Sequence, residues 1–276
     1  MRALLSYFSF FISVLAVSAQ PHAKSQILRG KVVGVKSQVV FATVGIINEN
    51  IGTITNENGR FEIEIPNVHL NKALTVSHIG YETLKLKIDS LSKCDHVIIK
   101  LREKVYLLEE VVLTSKKPRI KEYGNKTACK TFLSIQEGVT GTEIVMLIKP
   151  KHDIYLNSVS VNLLNQLERE FTLLLNIYSV NGKTQLPDLQ LLKEQRIIRS
   201  TLKKGWLEVD LNKDDIILKN PFYVGFQWVG FDKSNLLIGI CNNSPLKSLY
   251  RSKPLGTWEN LFKWNIKVKG TLLKNP

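Results

Sequence analysis

The sequence predicts an all-β protein made of two β-sandwiches, a smaller one followed by a larger one. Three observations lead there. Turn signals recur roughly every 8 to 12 residues. β-Branched and aromatic residues fill the intervals between them. Where a face is readable the period is two: in "RFEIEI" Phe61, Ile63 and Ile65 point one way and Arg60, Glu62 and Glu64 the other.

Ahead of the first strand, Arg2 supplies a positive start and residues 3–17 are an almost unbroken apolar run. "VSA" at 17–19 then places small residues at a cleavage site before Gln20, so residues 1–19 read as a signal peptide. The run is shorter than the roughly 20 apolar residues of a spanning helix. No Cys follows it to carry a lipid, and no later run has spanning length. The expected location is periplasmic, outer-membrane-associated or secreted, with no membrane span after signal removal.

Six strands are expected over residues 27–103: "ILRGKVV", "VFATVGII", "RFEIEI", "ALTVSHI", "TLKLKI" and "HVIIKL". "GTITNENGRFEIEIP" (52–66) is read as a β-hairpin. Asn56 to Gly59 form its turn, where Gly accepts a positive φ without steric cost.

Gly52-Thr53, Thr55-Asn56, Gly59 with Phe61, and Ile79-Gly80-Tyr81-Glu82 together resemble the carboxypeptidase regulatory-like domain, a small transthyretin-like sandwich common in Bacteroidetes envelope proteins. The family's Pro-Leu-x-Gly stretch before the second strand is absent, and "SQVVFATVGI" stands in its place. The resemblance implies a module without catalytic residues that accompanies enzymes and receptors as an accessory or interaction unit.

Residues 104–122 read as a linker. Within it Leu108, Glu109, Glu110, Val111, Val112 and Leu113 resemble the segment that follows this domain in TonB-dependent outer-membrane receptors, where it can pair as a strand with the energy-transducing protein. The 158 residues after Pro118 are too few for a plug and a large barrel. A working receptor is therefore excluded, and a last strand leading into a Lys-Lys-Pro linker is the simpler reading.

Residues 123–276 offer about eight further strands, which fit a two-sheet jelly roll. The order of "FTLLLNIYSVNGK", "GWLEVDL" and "FYVGFQW" resembles jelly-roll domains paired with the regulatory-like module and, loosely, carbohydrate-binding modules. Few contacts are expected between the two sandwiches.

Chemistry-bearing residues are sparse. Cys94, Cys129 and Cys241 are too few for a disulfide framework and read as three structural thiols, with one bridge the most they allow. The five histidines show no metal-ligand spacing, and there is no phosphate loop or nucleophile elbow. Neither a metal, a cofactor nor catalysis is expected. The formal charge is +14, and residues 119–276 hold 23 basic against 14 acidic side chains. Anionic glycans, lipid head groups or acidic protein faces suit such a balance outside the cytoplasm. Nucleic acid is not an expected partner.

The aromatic residues carry the remaining signal. Phe222, Val224, Phe226 and Trp228 share one face, and Trp264 alternates with Ile266 and Val268; both sets read as core. Trp206 shares a face with Glu208 and Asp210. Tyr250, Arg251 and Trp258 fall in an expected hairpin at 248–261. Trp258, Tyr250, Arg251 and Trp206 are thus the candidate ligand-binding residues, because an indole offers apolar area to a sugar ring while polar neighbours hold hydroxyls. The reading is a non-catalytic exported cell-envelope interaction protein whose partner is an envelope protein. The alternative is a carbohydrate-binding protein beside a polysaccharide-uptake system.

Overall fold

The computed structural model describes residues 24–91, 96–105, 119–135, 140–164, 170–219, 221–230, 236–241, 244–260 and 263–273. The signal-like segment, Cys94 and the stretch 108–113 lie outside the described residues.

The chain is all-β. Its first half contributes β1 (Ser25–Val33), β2 (Thr43–Ile46), β3 (Ile51–Ile54), β4 (Arg60–Pro66), β5 (Ala73–Ser77), β6 (Leu84–Lys87) and β7 (Val97–Lys100), with single helical turns at Asn67–His69 and Ile88–Leu91. Two sheets result. Sheet A has the order β4-β1-β7 and sheet B the order β3-β2-β5-β6. Leu28, Val32, Phe61, Ile63 and Ile65 of sheet A pack on Val44, Ile46, Leu74 and Val76 of sheet B in one core. The alternation in "RFEIEI" is realised strictly, with the apolar residues buried and the charged ones exposed.

The stretch 52–66 is not a hairpin. β3 pairs with β2 in sheet B and β4 pairs with β1 in sheet A, so the turn between them carries the chain from one sheet to the other. The turn chemistry is as expected. Gly59 has φ +70°, and the Asn56 carboxamide accepts the backbone N–H groups of Asn58 and Arg60 at 2.9 and 3.0 Å. Thr55 sets the corner. It is fully buried, donates its hydroxyl to the Val39 carbonyl at 2.7 Å and accepts the Ala42 N–H at 2.8 Å. β3 finds β2 instead through the turn at residues 47–50, where Asn48 and Asn50 both take positive φ.

The second half contributes β8 (Ile120–Gly124), β9 (Thr131–Ile135), β10 (Glu143–Ile148), β11 (Ile154–Leu164), β12 (Phe171–Val180), β13 (Pro187–Gln190), β14 (Arg196–Ser200), β15 (Lys204–Asp210), β16 (Ile217–Leu218), β17 (Phe222–Trp228), β18 (Leu236–Ile240), β19 (Ser248–Arg251) and β20 (Ile266–Leu272). Sheet C runs β13-β12-β17-β10-β19 with β14 also on β12. Sheet D runs β8-β20-β11-β18-β9 with β15 and β16 also on β11. From β10 to β12 and again from β17 to β20 successive strands alternate between the two sheets, and their inward faces form one core. Ile144, Met146, Phe222, Val224, Phe226 and Trp228 meet Leu156, Val159, Val161, Trp264, Ile266 and Val268 there. Both aromatic sets expected as core are core.

Two features go beyond the sequence reading. Cys129 and Cys241 form a disulfide with Cα atoms 5.7 Å apart, which corrects the expectation of three thiols. They are brought together because β9 and β18 pair with Thr131 opposite Ile240, so each Cys sits just past one end of the same ladder. The halves are also in closer contact than a charged linker suggests. Phe41 and Ile54 of the first half share a buried cluster with Leu174 and Val229 of the second. The Asn48 N–H donates to the Leu255 carbonyl at 2.8 Å, and Asn50 Oδ1 accepts from the backbone and side chain of Thr257 at 3.0 and 3.2 Å. A Cβ on Gly52 would lie 2.2 Å from the Pro254 carbonyl oxygen, so this position of β3 admits only glycine.

His78 sits at this junction. Its neighbour Ile79 packs against the core of the second half, and the His78 ring lies 5.4 Å from that of Tyr81. Burial holds the His78 pKa below its ordinary value, the polar backbone of Ile79 and Val40 nearby only partly opposing this, and its Nδ1 has no hydrogen-bond partner among the described residues. A histidine that resists protonation when folded contributes stability above its unfolded pKa of about 6.5 and loses that contribution as pH falls below it. Thermal stability is therefore expected to decline from pH 7.5 towards pH 5, and His78→Gln is expected to flatten that decline. A profile unchanged by the substitution would assign the pH dependence to other groups.

Candidate functional site

Sheet C has an outer face, opposite the main core, and it carries an unexpected polar cluster. The strand phase dictates it. Glu143 leads the apolar strand β10, Asn176 stands between Leu175 and Ile177 of β12, and Gln227 between Phe226 and Trp228 of β17; each is on the side facing away from the core. All three are buried, Glu143 completely. A buried carboxylate is costly unless it is paired and hydrogen-bonded. Here it is both. Arg251 on neighbouring β19 donates Nε to Glu143 Oε2 at 2.8 Å and also contacts it through Nη2. Asn176 Nδ2 and the Tyr178 hydroxyl both donate to Oε1, at 2.7 and 2.9 Å. Gln190 Nε2 donates to Asn176 Oδ1 at 3.0 Å, and Gln227 Nε2 to the Gly141 carbonyl at 3.2 Å.

The electrostatics follow from burial. Burial raises the Tyr178 pKa well above its ordinary value, the Glu143 charge adds to this, and the hydroxyl stays protonated as a donor. Burial works against the charge on Arg251, but Glu143 and Tyr178 more than offset it and hold the guanidinium charged.

Trp258 closes the cluster. The Arg251 guanidinium lies 4.4 Å from its ring centroid, and Tyr178 meets it edge to face with centroids 6.3 Å apart. It also packs on an outer-face apolar cluster of Val145, Leu147, Tyr223 and Leu249. Of the four candidate residues, the structure thus brings Arg251 and Trp258 together, but engages both in contacts internal to the fold. Tyr250 belongs to the expected hairpin, exchanging backbone hydrogen bonds with Glu259 at 2.9 and 2.8 Å. Its side chain turns inward against the main core, beside Trp264 at 6.5 Å between centroids.

Trp206 lies on the other sheet. On β15 it faces outward with Glu208 and Asp210, as expected, while Leu207 and Val209 pack on the core. Lys267 Nζ lies 4.7 Å from its ring centroid. Ser158 Oγ and Lys269 Nζ both donate to Glu208 Oε1, at 2.7 and 3.0 Å, and these two contacts hold the Glu208 carboxyl below the usual range. Among the described residues no group of three or more His, Cys, Asp or Glu side chains is arranged to hold a metal ion, and no helix is long and apolar enough to cross a membrane.

Comparison with known proteins adds the following. No curated protein matches the chain. Among solved structures it is similar to a chain of infectious bursal disease virus Gt strain at 11% identity, covering 91% of this chain and 64% of that one, with TM-score 0.29. A chain of a T13 particle of the same virus gives 10% identity, 94% and 61% coverage and TM-score 0.26. The chain spans less than two thirds of the length of either, and similarity at this level defines no shared fold. Residues 28–113 match the family model described as CarboxypepD_reg-like domain, a regulatory type of domain without catalytic residues.

Proposed function

We propose that this chain is a non-catalytic, exported cell-envelope interaction protein. The observation that carries the reading is that the segment matching a regulatory-like domain packs, through Phe41, Asn50 and Ile54, directly onto a second β-sandwich. Binding groups carried on loops and faces of rigid β-frames are a common arrangement. The Cys129–Cys241 bridge supports export, because disulfides form and persist in oxidising compartments. The alternation of strands between sheets C and D supports a jelly-roll-like second domain. Expression of the full chain in a Gram-negative host, followed by fractionation, in-cell cross-linking and a panel of hydrolase assays, tests the reading. The expected result is an oxidised protein in the envelope or periplasmic fraction, cross-linked to a discrete envelope component. A cytoplasmic protein, or turnover abolished by one acidic or Ser substitution, contradicts it.

A second reading, carbohydrate binding, is favoured by one observation: Trp206 stands on an outward sheet face among side chains that donate and accept hydrogen bonds.

A further inference from the structure

The outer face of sheet D is organised around β11. Ser160 lies opposite Glu208 of β15 on one side and Lys267 of β20 on the other, while Asn162 lies opposite Trp206. Ser160 is 1% exposed and its hydroxyl has no hydrogen-bond partner. Buried polar groups are normally satisfied, so an orphan hydroxyl marks a place where a partner is missing. Above it, the Lys267 side chain is only 14% exposed, with its ammonium over the Trp206 ring and Glu122 at 4.0 Å. That ammonium has exchanged most of its hydration for an aromatic face and a distant carboxylate. Around this centre Glu208, Lys269 and Glu122 are open, with side chains 43%, 33% and 38% exposed.

We infer that this face, centred on Trp206, Ser160 and Lys267, binds a neutral hexose-based glycan chain; the inference rests on the carbohydrate-binding reading. A pyranose presents an apolar C–H face and a rim of hydroxyls that both donate and accept. The indole of Trp206 suits the C–H face. The carboxylates of Glu208 and Glu122 accept from hydroxyls and Lys269 donates to them, while the buried Ser160 hydroxyl becomes reachable only when Lys267 moves aside. Lys267, whose four-carbon stem is flexible, moves off the ring and hydrogen-bonds the rim. Charge does not call for an acidic glycan: on this face Glu122, Glu208 and Asp210 balance Lys204, Lys267 and Lys269, and Glu208 with Lys269 and Glu122 with Lys267 are already paired, which suits an uncharged chain. An outward sheet face fits an extended chain rather than a small enclosed sugar.

The test is affinity electrophoresis of the mature chain in gels containing neutral polysaccharides (glucans, mannans, xylans, galactans) and, separately, alginate or polygalacturonate. Retardation by at least one neutral polysaccharide is expected, weakened about tenfold or more by Trp206→Ala, on the scale of stacking contacts. Thermal unfolding of W206A shows whether the variant is folded. If it is not, Lys267→Gln, which keeps the indole, is expected to change the same affinity severalfold. Binding indifferent to a folded W206A, or to K267Q where W206A is unfolded, overturns this site and leaves the carbohydrate reading standing. Binding of acidic polysaccharides alone overturns the ligand class. No binding by any polysaccharide overturns both the site and the carbohydrate reading.

Discussion

Replacing Glu143 by Ala is expected to destabilise the folded chain by about 3–5 kcal/mol, because it leaves Arg251 buried without its counter-charge. Arg251 is 12% exposed at its side chain and Glu143 is fully buried, so water cannot substitute for the lost partner. Asn176 and Tyr178 lose their acceptor at the same time, and Trp258 loses the anchored cation over its ring. Glu143→Gln keeps one acceptor and the volume, and is expected to cost less than Ala. Urea unfolding of the three proteins checks this: the midpoint is expected to fall in the order wild type, Gln, Ala with little change in slope. An unfolding free energy within about 0.5 kcal/mol of wild type for Ala would place the cluster in contact with solvent. Since the 252–257 loop begins directly after Arg251, the same substitution is expected to loosen its grip on Asn48 and Asn50.

The disulfide carries the second large effect. It closes a loop of 112 residues, for which the chain-entropy account gives an upper value near 4–5 kcal/mol, with about 2–5 kcal/mol typical on removal. Reduction, or Cys129→Ser with Cys241→Ser, is expected to lower the unfolding free energy by that amount while leaving the β-sheet circular dichroism intact at low temperature. An unchanged midpoint would mean that the β9–β18 ladder holds its end without the bridge.

How much of this was legible in the sequence depends on what each feature needs. A strand's two faces follow from a period of two, so "RFEIEI" and "FYVGFQW" are assigned without any partner. Pairing does not follow. β3 and β4 look like hairpin arms because the turn between them has the right residues, yet Thr55 and the turn at 47–50 send them to different sheets. The Cys pair escapes for the same reason, since it depends on the β9–β18 register across the whole domain. The surroundings of Arg251 and Trp258 are fixed by Glu143, 108 residues earlier. One signal is present: Glu143 is the single polar residue of β10, Asn176 and Gln227 stand between large apolar neighbours on β12 and β17, and a polar group so placed needs a buried partner. The outward face of Trp206 is readable because Leu207, Val209 and Leu211 alternate with it.

The interaction reading rests on the first half being docked on the second rather than tethered to it. Calorimetric unfolding of the mature chain near neutral pH tests this most directly, alongside Phe41→Ala, which hollows the shared cluster of Phe41, Ile54, Leu174 and Val229. The expected result is one cooperative transition for the wild type, and for F41A a separate, lower-temperature transition of the first half. Two independent transitions in the wild type, with only the first-half transition shifted by F41A, would show that the halves fold and act alone and would contradict the account.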